Sequence, residues 1–185
     1  MTPLDIYILD APILRQDTTP LSVVTDAHRR LIDEMFDTMY AARGIGLAAT
    51  QVGRIERICV VDVADERYAL VNPEIVTSEG EQTGEEGCLS IPEIYGDVTR
   101  AQHVVVRALD RTGAPFELDA TDLLARCVQH EIDHLHGRLF IDYLSLVKRQ
   151  AAMKKWKKLR GKDRSLTRSI PPRDAAGHHD RDEEL

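Results

Sequence analysis

Leu31, Met35 and Met39 recur at four-residue spacing between Thr25 and Gly44, with the acidic Asp33, Glu34 and Asp37 between them. This repeat predicts an amphipathic helix over 25–42, with Thr25 as its N-cap and Gly44 just past its end. The pattern then changes period. Ile58–Val63 and Tyr68–Val71 are short β-type runs, split by the polar turn at 64–67. Residues 98–109, with valines at 104, 105 and 106, read as one longer strand. The Asp110–Gly113 turn then leads to a hairpin partner at Phe116–Leu118. A second helix is predicted from Thr121 to Gly137, with Leu124, Val128 and Leu135 on its apolar side, and a third from Ser145 to about Arg160. Beyond Gly161 the chain turns polar and Pro-broken, and 161–185 is expected to be a flexible tail. Strands grouped centrally with helices on either side predict one α+β domain over residues 1–160.

Composition narrows the class. At 185 residues, 43% of them hydrophobic, the chain fits a single core and is too apolar to be wholly disordered. It holds no uncharged apolar run of about 18 residues, so no membrane span is expected. The N-terminal residues Met1–Asp5 lack the features of a signal peptide. Three cysteines, Cys59, Cys88 and Cys127, do not make a disulfide scaffold. A cytoplasmic protein is the expectation. The net charge of −7 is unevenly spread: residues 1–147 carry −13 without a single lysine, whereas 148–160 carry +7 without an acid. A segregated cationic stretch points to an anionic partner.

The strongest chemical signal is His130-Glu131-Ile132-Asp133-His134 on the second helix. At helical spacing His130 and His134 project from one face, so both imidazoles can close on one metal ion with Glu131 beside them to move protons. Two histidines leave a catalytic tetrahedral site one protein ligand short. Cys127 lies on the same face, but its Cα would be about 10.5 Å along the axis from that of His134, which suits a shared ion poorly. A ligand crossing from another segment makes better geometry, and Cys88 lies in such a segment, Glu86-Gly87-Cys88-Leu89-Ser90. Cys59 reads as a small buried hydrophobe. The run Gly44-Ile45-Gly46-Leu47-Ala48-Ala49-Thr50-Gln51 allows close approach to its backbone and offers the uncharged donor Gln51. It lacks the spacing of a phosphate loop. His-Glu-x-x-His by itself also fits a metallopeptidase, or a structural metal centre in an RNA-binding module.

Taken together and in order, Gly44–Gln51, Glu86–Ser90 and Gln129–His134 resemble the three signature motifs of the peptide deformylases, and the similarity extends over about residues 3–160. The resemblance implies antiparallel strands packed around a central metal-binding helix, followed by a C-terminal helix. It implies removal of the formyl group from the N-terminal formylmethionine of nascent polypeptides, with release of formate. Cys88, His130 and His134 would be the metal ligands, with water in the open position and Glu131 as general base and then general acid. Gln51 and the Leu89 N–H would stabilise the oxyanion. The expected ion is divalent, Fe2+ first, with Zn2+ as the alternative. The peptide would lie extended along Gly44, Ile45 and Gly46, and Cys127 would line the methionine pocket. Arg100 and Asp133 are expected to pair behind the ligands, against the alternative of a solvated arginine. Arg126 either covers the pocket with its methylene stem or narrows the substrate range.

Residues 148–160 fit a cationic helix whose apolar stripe is Ala152, Trp156 and Leu159. The resemblance implies docking to the ribosome through that helix; the other reading is a terminal helix packed on the domain and kept soluble by its lysines. No DNA partner is expected. His178 and His179 are read as outside any metal site.

Overall fold

The fold was analysed in a computed structural model, which describes residues 2–172. The chain opens with a two-residue strand, β1 (Ile6–Tyr7), and a 3-10 turn at Pro12–Arg15, then enters helix α1 (Asp26–Ala41). The Thr25 N–H donates to His28 Nδ1 at the helix start. Arg43, not Gly44, takes the left-handed conformation that ends the helix (φ 61). Gly44 has a different role: a Cβ there would lie 2.6 Å from Leu89 Cδ1.

Five strands form the main antiparallel sheet: β2 (Gly46–Ala48), β3 (Ile58–Val63), β4 (Glu66–Glu79), then β7 (His103–Leu109) and β8 (Pro115–Thr121), hydrogen-bonded in that order. Between them in sequence, β5 (Gln82–Glu86) and β6 (Gly96–Arg100) form a separate two-stranded ribbon. Helix α2 (Asp122–Leu135) follows β8 directly, and helix α3 (Leu146–Arg160) comes after a short 3-10 turn at Phe140–Asp142. The expected α+β domain, with antiparallel strands around a central helix and a C-terminal helix, is what the structure shows.

The sheet lies between α1 and α2. Strand β3 explains why its sequence is apolar throughout: Ile58 and Val60 join the cluster of Leu31, Ile32 and Met35 from α1, while Cys59, Val61 and Val63 join that of Ala125, Val128 and Leu135 from α2. Both faces are buried, so alternation disappears. Cys59 is the buried hydrophobe its setting suggested.

Three expectations are corrected. Residues 98–109 are not one strand: the chain leaves the ribbon after Arg100 and enters the main sheet at His103. The Gln129 side chain fastens that corner, its amide donating to Ala101 C=O (2.9 Å) and its oxygen accepting from Ala101 N–H (3.1 Å). Strand β4 extends well past Val71, because a register shift between Val71 and Glu74 accommodates Pro73. Lastly, the chain beyond 160 is not all tail. A ninth strand, β9 (Thr167–Arg168), pairs antiparallel with β1, and Ile170 is buried in the α1 cluster. Residues 173–185, including His178 and His179, lie outside the described residues.

Candidate metal centre

Helix α2 is packed along most of its surface, and ten of its residues from Ala125 to Leu135 are buried, so its polar side chains are held in a dry setting. Its C-terminal end is closed by Thr18, whose N–H (2.9 Å) and hydroxyl (2.8 Å) both donate to Leu135 C=O. One turn apart on this helix, the His130 and His134 rings meet edge to face, with centroids 4.9 Å apart. Cys88 reaches them from the loop after β5. That loop is pinned by Ile91 N–H to Cys88 C=O (2.8 Å) and by Leu9 N–H to Ser90 C=O (2.9 Å). The ligand atoms of Cys88, His130 and His134 all lie within 4.8 Å of one another, and all three residues are buried. Cys88 Sγ is 3.3 Å from His134 Nε2.

A donor set of one sulfur and two imidazole nitrogens suits a divalent transition ion. The unsatisfied atoms agree: His130 Nε2 and Glu131 Oε2 are buried with no hydrogen-bond partner among the described residues. Such atoms are costly unless something else completes them. Burial, followed by the neighbouring His130 and Arg100, holds the His134 imidazole well below its ordinary value, which keeps it in the neutral form that can ligate.

Behind the ligands lies a charged cluster in which the sequence reading placed Arg100 and Asp133 but missed Glu86. Glu86, fully buried, accepts from Arg100 Nε at Oε1 (2.6 Å) and from Arg100 Nη2 at Oε2 (2.9 Å). Its Oε2 also sits 2.9 Å from His130 Nδ1. That contact fixes the ring so that Nε2 faces Cys88 and His134. Burial pushes the Glu86 carboxyl up, but hydrogen bonds from His130 and Arg100, with their charges, outweigh it and bring it down to about 2. Arg100 Nη1 also donates to Asp133 Oδ2 (2.7 Å), the contact expected of that pair; Tyr143 donates its hydroxyl to Asp133 Oδ1 (2.9 Å). No local signal marks Glu86 among Glu79, Glu81, Glu85 and Glu86, although its place two residues before Cys88 puts it within reach.

The remaining residues surround Glu131. Burial pushes its carboxyl well above the usual carboxylate range; Arg100 pulls it down, while Glu86 and Asp133 push it up. Gly46 lies against it, since a Cβ at Gly46 would collide with Glu131 Oε1 and come within 2.9 Å of Cys127 Sγ. Cys127 is fully buried, its thiol 3.5 Å from Ile45 C=O, and burial pushes it well above the ordinary thiol value. Gln51 accepts the Ala48 N–H at Oε1 (2.8 Å), which aims its amide nitrogen at Ser90 Oγ (3.1 Å) and Cys88 Sγ (3.6 Å). Leu89 follows Cys88 and is buried beneath Gly44.

Strand β2 is an edge of the main sheet. Ile45 C=O accepts from Asp62 N–H (2.8 Å), so the alternation of an antiparallel pair turns the backbone groups of Gly46 to the open side. Arg126 departs from both expectations. It neither turns outward nor enters a pocket; it is 4% exposed and directed at Glu86 and the β5–β6 ribbon.

Comparison with known proteins agrees with this geometry. A family profile described as polypeptide deformylase matches residues 3–150. A peptide deformylase of Alkalilimnicola ehrlichii is 53% identical over 163 residues, covering 86% of this chain and 92% of that protein. The crystal structure of a peptide deformylase from Legionella pneumophila superposes with a TM-score of 0.83 at 47% identity, over 88% of this chain and 99% of that one. A peptide deformylase from Ehrlichia chaffeensis in complex with actinonin gives a TM-score of 0.83 at 38% identity, over 89% and 100%.

Proposed function

The chain belongs to the polypeptide deformylase family, and from that premise we propose that it hydrolyses the formyl amide at the N-terminal formylmethionine of nascent polypeptides, releasing formate. The observation that carries this reading is the convergence of Cys88, His130 and His134 beside Glu131, whose Oε2 has no hydrogen-bond partner among the described residues. A usual metallopeptidase does not take its third ligand from an upstream Glu-Gly-Cys-Leu segment, and no fourth ligand closes the cluster among the described residues.

Cys88, His130 and His134 hold the ion. A divalent cation supplies a Lewis acid that polarises a carbonyl and acidifies water. Thiolate and imidazole donors suit Fe2+, with Zn2+ as the alternative. Glu131 takes a proton from the attacking water at its carboxylate and passes one to the departing amine. The Gln51 amide, oriented by Ala48 N–H, and the Leu89 N–H donate to the oxyanion that develops on the formyl oxygen.

The peptide adds as a strand to the open edge of β2 at Gly44–Gly46, which reads backbone and little sequence. Cys127 forms part of the wall beneath that edge, beside the methionine side chain. Arg100 and Asp133 hold α2 against the ribbon from behind.

The lysines of α3 provide the docking face for the ribosome. Trp156 is buried and Ala152 and Met153 pack inward, while Lys154, Lys157 and Lys158 face solvent. Leu159, expected in the apolar stripe, is 45% exposed; its place over Trp156 is taken by the Arg160 guanidinium. The enzyme would work in the cytoplasm, where nascent chains emerge. Among the described residues no helix is long and apolar enough to cross a membrane.

The deciding experiment is formate release from a formyl-Met peptide by anaerobically Fe2+-loaded protein. Release from the formyl peptide, none from its N-acetyl analogue, and loss in Cys88→Ser support the reading. A folded, metal-loaded protein that releases no formate from any formyl-Met peptide overturns it.

A further inference from the structure

The two halves of the metal centre come from different elements, α2 and the segment after β5, and something must hold them in register. Arg126 is placed to do so. Burying a guanidinium is tolerated only when its donors find acceptors, and here both terminal nitrogens do. Nη1 donates to Glu86 Oε1 (2.7 Å), Val98 C=O (3.0 Å) and, at longer range, Gly84 C=O (3.5 Å); Nη2 donates to Gln82 C=O (3.1 Å). Gly84 and Val98 are directly opposed in the β5–β6 ribbon, so one side chain of α2 grips both strands at one rung. The guanidinium packs on the ribbon at Gly84, where a Cβ would stand in ordinary contact, 3.4 Å from Arg126 Cζ and Nη2.

What Arg126 adds to the grip of Arg100 is a second hold from the ligand-bearing helix itself. Arg126 and His130 are one turn apart, and they engage the two different oxygens of Glu86, Oε1 and Oε2. A carboxylate held at both oxygens by residues i and i+4 of one helix has its plane set relative to the imidazole. With Arg126 removed, only Arg100, arriving from the end of β6, still orients it. The charges also balance, since two guanidiniums face Glu86 and Asp133.

We propose that Arg126 is a positioning residue for the metal centre: by clamping Glu86 and the β5–β6 ribbon to α2, it aims His130 and keeps Cys88 in register, and so sets how tightly the site holds a divalent cation. This rests on the ligand set named above.

The test is Co2+ binding to the full chain after removal of bound metal, followed by the near-ultraviolet thiolate-to-cobalt absorption and the visible ligand-field bands. The wild type binds one Co2+, and Cys88→Ser abolishes the thiolate band. Arg126→Met, which keeps the apolar stem, is expected to weaken Co2+ binding by about 10–100-fold and to shift the ligand-field bands. Arg126→Lys restores part of the affinity. At saturating metal, KM for a formyl peptide stays near the wild-type value in both variants, because the peptide edge at β2 is untouched.

Should Arg126→Met fail to fold, Arg126→Lys, which keeps the charge and loses the two-nitrogen fork, carries the test and is expected to weaken binding severalfold. Co2+ affinity within twofold of wild type and unchanged bands in folded Arg126 variants overturn the inference while leaving the ligand set intact. A wild type that binds no Co2+ at Cys88 overturns both.

Discussion

Helices α2 and α3 are nearly equal in length, 14 and 15 residues, but the fold uses them in opposite ways. From Ala125 onward α2 is buried almost continuously, including an arginine, two histidines, a glutamate and an aspartate. Along α3 only Trp156 is buried. On α2, Arg126, His130 and Asp133 were desolvated on folding and found charged partners in Glu86 of β5 and Arg100 of β6, whereas His130 Nε2 and Glu131 Oε2 have no partner among the described residues. Most cations of α3 stayed in water, Arg160 over Trp156 being the exception, and pairs such as Lys148 with Asp97 (3.0 Å) and Arg149 with Asp142 (3.2 Å) are exposed and of small energetic worth. Precision is bought on α2 by burial; α3 trades precision for an accessible field of positive charge.

The sharpest way to break this contrast is to remove a buried partner. Glu86→Ala leaves Arg100 and Arg126 facing each other without their shared carboxylate, and His130 without its orienting acceptor. The expected loss of stability is about 3–5 kcal/mol, read from chemical denaturation, accompanied by loss of metal. Denaturation unchanged within about 1 kcal/mol would mean that the cluster is not the framework of the site.

On α3 the largest effect should come from Trp156→Ala. It removes a side chain from the cluster of Ile8, Leu14 and Phe140 and the Nε1–H donation to Asp10 (3.2 Å). A cost of about 3 kcal/mol is expected. Because α3 carries no ligand, hydrogen exchange should show its amides opening first, with Co2+ affinity at Cys88 near the wild-type value. Metal loss in parallel with α3 opening would show that the two helices are coupled.

The smallest structural effect is predicted for Lys154→Glu, Lys157→Glu and Lys158→Glu together. All three are exposed, so stability should move by no more than about 0.5 kcal/mol per site and hydrolysis of a free formyl peptide should not change. Ribosome binding should weaken and lose much of its salt dependence. Undiminished ribosome binding across several salt concentrations would remove α3 from that role.

The same contrast explains what the sequence disclosed. Helix α1 was readable from Leu31, Met35 and Met39, and α2 from its histidine spacing together with Leu124, Val128 and Leu135, because these signals are local and periodic. The hairpin of β7 and β8 announced itself through Asp110–Gly113, where Thr112 and Ala114 N–H groups donate to the Asp110 carboxylate. The cysteine and two histidines that the fold brings together were named from motifs and their order.

Contacts made at long range left no local trace. The corner at Ala101 and Gln102 carries no glycine or proline, so one strand was read where two sheets meet. The pairing of β1 with β9 joins residues from opposite ends of the chain. Glu86 and Arg126 look like ordinary charged residues until the fold removes them from water, and only then does their mutual satisfaction become necessary. Leu159 shows the reverse error: helical spacing placed it beside Trp156, but Arg160 covers that ring instead.

The central claim is a division of labour within one turn of α2: His130 and His134, with Cys88, hold the ion, and Glu131 between them moves the proton. Its most direct test is Glu131→Gln, assayed for metal content and for formate release in the same preparation. Retained one-to-one metal with release reduced by about 10²–10⁴-fold is the predicted result. Formate release within a few-fold of wild type, from a variant that still holds its metal, would contradict the assignment of Glu131 and with it the account of the site.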